Sequence, residues 1–374
     1  MNRAPRAGNA VVALLLAACA AWPPTLAGRA KAAEPIPASL TDQEFWQLVS
    51  SSSEPAGYFN SDNLLSNETT FQYVIPELKR IIKPGGVYIG VGPEQNFAYI
   101  LALEPAIAFI PDIRRGNLQE HLMYKALFEM AADRAEFLSL LFSRKRPAGL
   151  STETTIEQLM TAFAAADSSP ELYKKNLAAM KGWLTTHHRF ALDEGDLPGV
   201  EYVFSNFYAA GPGLSYASAG GGRRNRYPTY AELQMEDDGR GQHRGYLASE
   251  ANFRAMKRFE EKNLLVPVVG DFAGPRALRA IGQYAKSRSA TVTAFYTSNV
   301  ENYLFQGGNW ERFAANVATM PLDGSSTFIR ACFDNCVRYP ASRSTTLLDS
   351  MTLLLRDVHD GRIRTYWDVL GHSR

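Results

Sequence analysis

The sequence predicts an α/β fold: a doubly wound, mostly parallel sheet carrying a helical insertion at 150–195. Three observations carry that expectation. Strand-like and helix-spaced segments alternate through most of the chain beyond residue 66, the pattern of βα units rather than of a sandwich or a bundle. The runs AIAFIPD (106–112) and LLVPVVGD (264–271) are apolar without polar alternation, which suits strands covered on both faces. The stretch VYIGVGPEQN (87–96) then joins a strand to a helix through glycines, as nucleotide-binding units do.

The elements follow in order. Residues 41–65 are polar and irregular, and with SSSSE at 50–54 the segment 33–65 reads as a linker. The first helix is expected from Glu68 to Ile82, with Asn67 as N-cap, Phe71, Val74, Ile75, Leu78 and Ile82 at helical spacing, and KPGG as its stop. Strand VYIGVG, short helix QNFAYILAL and strand AIAFIPD follow. Asn117 is expected to cap a long helix, with Glu120 completing a capping box and a body running to Phe142. Two helices are expected between 152 and 187, the second opened by Ser169 and Pro170. VEYVFSNFYAAG (200–211) reads as a strand and SAGGGRRNRYP (218–228) as a loop. Ser249 caps the next helix, LLVPVVGDF is a buried strand, Pro275 opens a helix, ATVTAFYTS is a strand, NWERFAANVA a helix and STFIRACF a strand. Residues 66–374 thus form a single α/β domain.

A chain of 374 residues with 46% hydrophobic residues can bury a large core. Its net charge of +1 gives no reason to expect nucleic acid as a partner. The first 32 residues have the layout of a secretory signal: Arg3 and Arg6 without an acid, then the apolar run AVVALLLAA, then small residues and prolines. The apolar run is too short to span a bilayer. Two cleavage sites compete. LAAC (16–19) resembles a lipobox, which would make Cys19 a lipidated N-terminus and anchor the protein to a membrane. AKA (30–32) would serve ordinary signal peptidase. Either way the expected location is the periplasm or cell envelope. Once Cys19 is removed or lipidated, Cys332 and Cys336 remain as a pair in ACFDNCV. The turn formers Asp334 and Asn335 could bring them into disulfide range, with two free thiols as the competing state. No spacing of His and Cys suggests a metal site.

In open α/β sheets ligands bind beyond the carboxyl ends of the strands. The expected strands end at Gly90 and Gly92 with Glu94 beyond, at Asp112 followed by Arg114 and Arg115, near Asn206 and Tyr208, at Asp271, and at Ser298 and Asn299. Asn67 and Glu68 precede the first helix and could reach the same edge. His121 lies just inside the long helix, where it could act on a ligand or serve as a solvated or capping residue. The pair His187 and His188 cannot both face one site on a regular helix. GLSYA (213–217) has only a superficial likeness to a nucleophile elbow, since its last glycine is alanine and no helix is expected after it.

VYIGVGPEQN, followed twenty residues after Gly92 by Asp112, resembles motif I and the partner acid of class I S-adenosylmethionine-dependent methyltransferases. The chain also resembles uncharacterised exported bacterial proteins on that scaffold. The likeness covers roughly residues 66–335 and implies a methyltransferase-like sheet. In it Gly90 and Gly92 would let the backbone approach the cofactor, and Asp112 would accept the ribose hydroxyls. VVGDFAG stands at the fourth motif without its Asn/Asp-Pro-Pro-aromatic core. Glu94 replaces a glycine, and its side chain is expected to intrude where the cofactor's amino-acid end would lie; Pro93 removes an amide donor. S-adenosylmethionine is a cytosolic metabolite, which an exported enzyme would lack. The expectation is therefore no cofactor and an envelope protein whose methyltransferase-like pocket, with Gly90, Gly92, Glu94, Asp112, Asn67, Glu68 and Asp271, takes a small polar ligand. The alternative is a working S-adenosylmethionine-dependent methyltransferase.

Overall fold

The computed structural model describes Met1 and residues 34–216, 227–333, 336 and 342–374, of which Glu34–Arg374 form one unit. The leader with Cys19, Ala217, most of the glycine- and arginine-rich loop, and Asp334 and Asn335 lie outside the described residues.

Helix α1 (Asp42–Ser52) occupies the segment expected to be a linker. Thr41 and Glu44 close a capping box at its start, and Phe45 and Val49 are buried. Past its end, the Glu54 backbone amide donates to the Val269 carbonyl at 2.9 Å, and the Glu54 side chain accepts from the Ala277 amide at 2.9 Å. Composition misled here: the serines line one end of a helix whose other face joins the core.

The helix expected from Glu68 begins later, as a 3-10 turn Phe71–Val74 followed by α2 (Ile75–Ile81). Pro76 sits within its first turn, where its missing amide costs nothing. Asn67 caps no helix; the residue before the 3-10 turn is Thr70, in the left-handed region at φ 64°. Strand β1 (Val87–Ile89), α3 (Asn96–Leu103) and β2 (Ile107–Asp112) follow. Helix α4 (Arg115–Met130) starts two residues ahead of Asn117, after an extended Arg114. Asn117 and Glu120 therefore form no capping box. Both are buried, and neither amide atom of Asn117 nor either Glu120 oxygen has a hydrogen-bond partner. The expected long helix ends at Met130, where Lys257 Nζ donates to the carbonyls of Phe128, Glu129 and Ala131. Asp133 then caps α5 (Arg134–Phe142).

Helices α6 (Ile156–Ala165) and α7 (Pro170–Gly182) match the expected pair, the second capped by Ser169. VEYVFSNFYAAG is not a strand but part of α8 (Asp196–Ala210). Its buried Val200, Val203, Phe204 and Phe207 keep helical spacing; β-branched and aromatic content outweighed that period in the sequence reading. Asn206 and Tyr208 accordingly lie in the last turns of this helix, and Tyr208 stacks on Tyr173 at 4.5 Å. Helices α9 (Tyr230–Gln234) and α10 (Glu250–Glu261, capped by Ser249) lead to β3 (Leu265–Val269). The helical insertion thus extends well beyond 150–195 at both ends.

The rest alternates: α11 (Ala277–Ser287), β4 (Val292–Ser298), α12 (Val300–Gln306), α13 (Trp310–Val317), β5 (Thr327–Phe333), β6 (Ser344–Ser350), α14 (Met351–His359) and α15 (Tyr366–His372). The six strands form one sheet in the order β3-β2-β1-β4-β5-β6. All pairs are parallel except β5 with β6. Every residue of β1, β2 and β3 is buried, so both faces of these strands are covered. Register aligns their carboxyl ends: the Gly90 amide donates to the Phe109 carbonyl and the Gly270 amide to the Asp112 carbonyl. Strand order reverses between β1 and β4, where a ligand cleft is expected in such sheets. Among the described residues no helix is long and apolar enough to cross a membrane.

Candidate functional site

A cavity of about 360 Å³ opens at that reversal, beyond the carboxyl ends of β1 to β4. Of the residues expected to form a site, Asn67, Glu68, Gly92, Asp112 and Asp271 line it. Gly90 and Glu94 do not.

The glycine turn explains the split. Asn96 Nδ2 donates to the carbonyls of Val91 at 2.9 Å, Gly92 at 3.3 Å and Pro93 at 2.8 Å, while its Oδ1 accepts from the Tyr88 hydroxyl at 2.8 Å. This one side chain ties the turn down. Gly90 is glycine because a Cβ there would run into Asn96 Oδ1 and the Tyr88 ring. Gly92 is glycine for another reason: φ is +77°, with open space where a Cβ would stand. Gly92 lines the cavity, and its carbonyl is taken by Asn96 and His121.

Glu94, expected to intrude on a ligand, turns away from it. The side chain is buried, with Oε2 unpartnered, and burial pushes its carboxyl up to about 8. When ionised, it would raise the pKa values of its neighbours Glu120, Tyr124, Tyr230 and Tyr246. The turn is pinned by Asn96, so the residue after Pro93 is directed toward α4. His121 belongs to the same region. Its Nε2 lies 3.0 Å from the Gly92 carbonyl, Nδ1 has no partner, and burial pushes its pKa down to about 4. The ring is neutral at pH 7 and donates to the carbonyl through Nε2–H.

Asp112 ends β2 with Oδ1 accepting from the Arg114 amide at 2.9 Å and Oδ2 facing Arg114 Nη2 at 3.1 Å. The guanidinium also donates to the Asp62 carbonyl. Asp271, beyond β3, accepts from the Ala273 amide at 2.9 Å and is partly exposed. Glu68 is the most buried of the acids that line the cavity, 1% exposed. Its Oε1 accepts from the Tyr296 hydroxyl at 2.6 Å and from the Ser298 hydroxyl. Its Oε2 has no hydrogen-bond partner. Burial raises its pKa to about 7 against those hydrogen bonds.

Aromatic residues complete the cavity: Tyr58, Phe59, Tyr216 and Tyr303 toward solvent, Phe272 and Tyr296 deeper. The sequence reading missed Tyr296 and the aromatics at 58 and 59. Tyr296 could have been found, since it lies two residues before Ser298, which strand alternation would place on one face; a bulge interrupts the pairing between them, yet both hydroxyls reach Glu68 Oε1. Tyr58 and Phe59 lay in the supposed linker, with no periodic signal to place them.

His188 ties helices together: it bridges Asp42 at 2.9 Å and Glu129 at 2.5 Å, and Glu129 also takes Lys125 at 2.8 Å. Cys332 and Cys336 are joined as a disulfide with Cα atoms 5.6 Å apart, at the end of β5. Among the described residues no group of three or more His, Cys, Asp or Glu could hold a metal ion.

Residues 64–199 and 214–354 match the model of a family described as Domain of unknown function (DUF7790), and the chain belongs to that family. The matched spans include Glu68, Gly92, Asp112, Asp271 and Tyr296. No curated protein matches the chain.

Proposed function

We propose that this protein works outside the cytoplasm, in the cell envelope, and binds a small polar ligand in the cavity at the β1–β4 reversal. The observation that carries the reading is convergence: Gly92, with no side chain and open space where one would stand, the strand-end carboxylate of Asp112 and the buried carboxyl of Glu68 meet in one cavity of about 360 Å³. Carboxylates accept hydrogen bonds from hydroxyls and amines, and a largely preformed concave site with few polar groups suits a small molecule. The leader sequence and the Cys332–Cys336 bridge support an oxidising compartment. Calorimetry of nucleosides and sugars with the purified protein tests the cavity. Asp112→Ala is expected to weaken a cavity ligand by about 1 to 3 kcal/mol, the usual cost of leaving buried polar groups unpaired. Intact mass tests the location: a mature chain lacking at least residues 1–18 is expected, whereas an unprocessed cytosolic chain would refute export. Cys19→Ser should abolish lipid labelling if LAAC is the cleavage site.

A second reading, S-adenosylmethionine-dependent methyl transfer on a methyltransferase-like sheet, gains support from one observation. The carboxyl of Glu94, which would have opposed the cofactor, is turned out of the cavity. The residues present fit the group at two points: Gly92 leaves open space where a side chain would stand, and Asp112 keeps unused lone pairs that could accept ribose hydroxyls. The bound cofactor would supply a transferable methyl group. Micromolar calorimetric binding of S-adenosylmethionine, together with retention in the cytosol, would replace the first reading with this one.

A further inference from the structure

Four charged side chains line the cavity: Glu68, Asp112, Asp271 and Arg114. The Arg114 guanidinium is already engaged by Asp112 Oδ2 and by the Asp62 carbonyl. Among the described residues that line the cavity no cation is left for an anionic ligand, whereas two carboxyl groups, Glu68 and Asp271, have no positive partner there. Glu68 is the more telling of these. It is 1% exposed, lines the cavity, and has Oε2 unpartnered. Unlike the unpartnered carboxyl oxygens of Glu94 and Glu120, this one belongs to a side chain that lines a cavity, where a ligand can supply the missing donor. The mouth supplies the second element. Phe59 and Tyr303 meet edge to face at 5.2 Å, and Tyr216 lines the same cavity. Aromatic faces above a carboxylate hold an organic cation by its charge and its apolar body together.

We infer that the ligand of this cavity is an organic ammonium, with its positive group on Glu68 Oε2 and its apolar body against the aromatic mouth. The inference rests on the reading of the cavity as a small-ligand site and narrows that ligand's chemistry. Binding is coupled to a proton: burial holds Glu68 near pH 7, so the ammonium must displace a proton below that pH. The groups sharing its surroundings are Tyr88, Tyr99, Tyr296 and Tyr366, and the carboxyl of Glu236. The tyrosines are all pushed above their usual range and stay neutral, whereas burial raises Glu236 to about 8. Glu236 is thus the one neighbour among them that titrates nearby.

The test uses three probes with one body: 2-phenylethylamine, 2-phenylethanol and phenylacetate, titrated against the full chain by ligand-observed NMR. The amine is expected to bind about 10-fold or more tighter than the alcohol, and phenylacetate weakest of all. Amine affinity should rise about 10-fold from pH 6 to pH 8, as a group near 7 ionises. Glu68→Gln should remove the amine preference and the Glu68 part of the pH dependence. Circular dichroism and a cooperative thermal transition show whether the variant is folded. If the variant does not fold, the wild-type preference and pH profile decide. Equal binding of alcohol and amine, or an unchanged preference in Glu68→Gln, would overturn the inference and leave the small-ligand reading standing. If none of the three probes binds while a nucleoside or sugar does, the inference also falls alone. Binding by no small molecule at all would remove both.

Discussion

Two buried carboxyl groups lie on opposite sides of one glycine turn, and their surroundings differ. Glu68 faces the cavity, with two hydroxyls on one oxygen and nothing on the other. Glu94 sits behind the turn in a region closed by α3, α4 and the tyrosines 230 and 246. There Asn117, Glu120, His121 and Tyr124 also keep polar atoms without partners. Desolvation raises both acids, Glu68 to about 7 and Glu94 to about 8. Similar physics therefore yields different consequences. A raised carboxyl that opens on a cavity is available to a ligand, whereas one sealed in the core shows itself only in stability. Perturbed acidity alone does not locate a site; access does.

The wall between the two regions is the Gly90–Asn96 turn, and breaking it has the largest expected effect. Gly90→Ala drives a methyl group into Asn96 Oδ1 and Tyr88. Displacing Asn96 then frees three turn carbonyls and a tyrosine hydroxyl. Overpacking and lost buried hydrogen bonds add, for an expected loss of about 3 kcal/mol or more. Chemical denaturation measures it; a loss below about 1 kcal/mol would show that the turn can relax.

Glu94→Gln should move stability the other way. The folded-state pKa of about 8 lies above the reference 4.5, so the folded chain holds the proton more tightly than the unfolded one. That contribution is complete below pH 4.5 and is lost as pH rises toward 8. Removing the ionisable group should stabilise the protein by about 1 to 3 kcal/mol at pH 8 and change little at pH 4. Equal effects at both pH values would show that Glu94 is not held protonated. Probe binding in the cavity should be unaffected, which sharpens the contrast with Glu68→Gln.

The sheet was the legible part of this molecule. AIAFIPD and LLVPVVGD could be placed because uninterrupted apolar runs bounded by turn residues admit few alternatives. Asp112 and Asp271 followed from them as strand ends. What failed were readings in which local composition competed with tertiary packing. Val200 to Gly211 looks strand-like by residue type, yet its buried side chains follow the helical period. Asn117 looks like a cap, but the helix begins earlier, at Arg115, which pairs with Asp196 of α8 at 2.7 Å. Glu94 could be located in sequence, but not its direction, because that depends on how Asn96 folds back on the turn. Glu68 was picked for its place near a helix start, and its actual position depends on Tyr296 and Ser298, more than 220 residues away.

The smallest expected effect separates the two glycines of the motif. Gly92 differs from Gly90 in having open space around it, so an added methyl group meets no atom within 4 Å. The cost of Gly92→Ala is then conformational: φ of +77° is left-handed backbone, which costs an L-residue about 1 to 2 kcal/mol. Stability should fall by about that amount, clearly less than for Gly90→Ala. The methyl group nevertheless stands at the cavity wall, so ligand affinity should drop more than so small a loss of stability would suggest. Comparing the two variants by denaturation and by phenylethylamine titration separates the roles. Gly90→Ala should lose stability first, and Gly92→Ala should remain folded with weakened binding. A Gly92→Ala protein that binds the probe like wild type would mean that the ligand does not approach the turn, leaving the floor around Glu68 as its point of attachment.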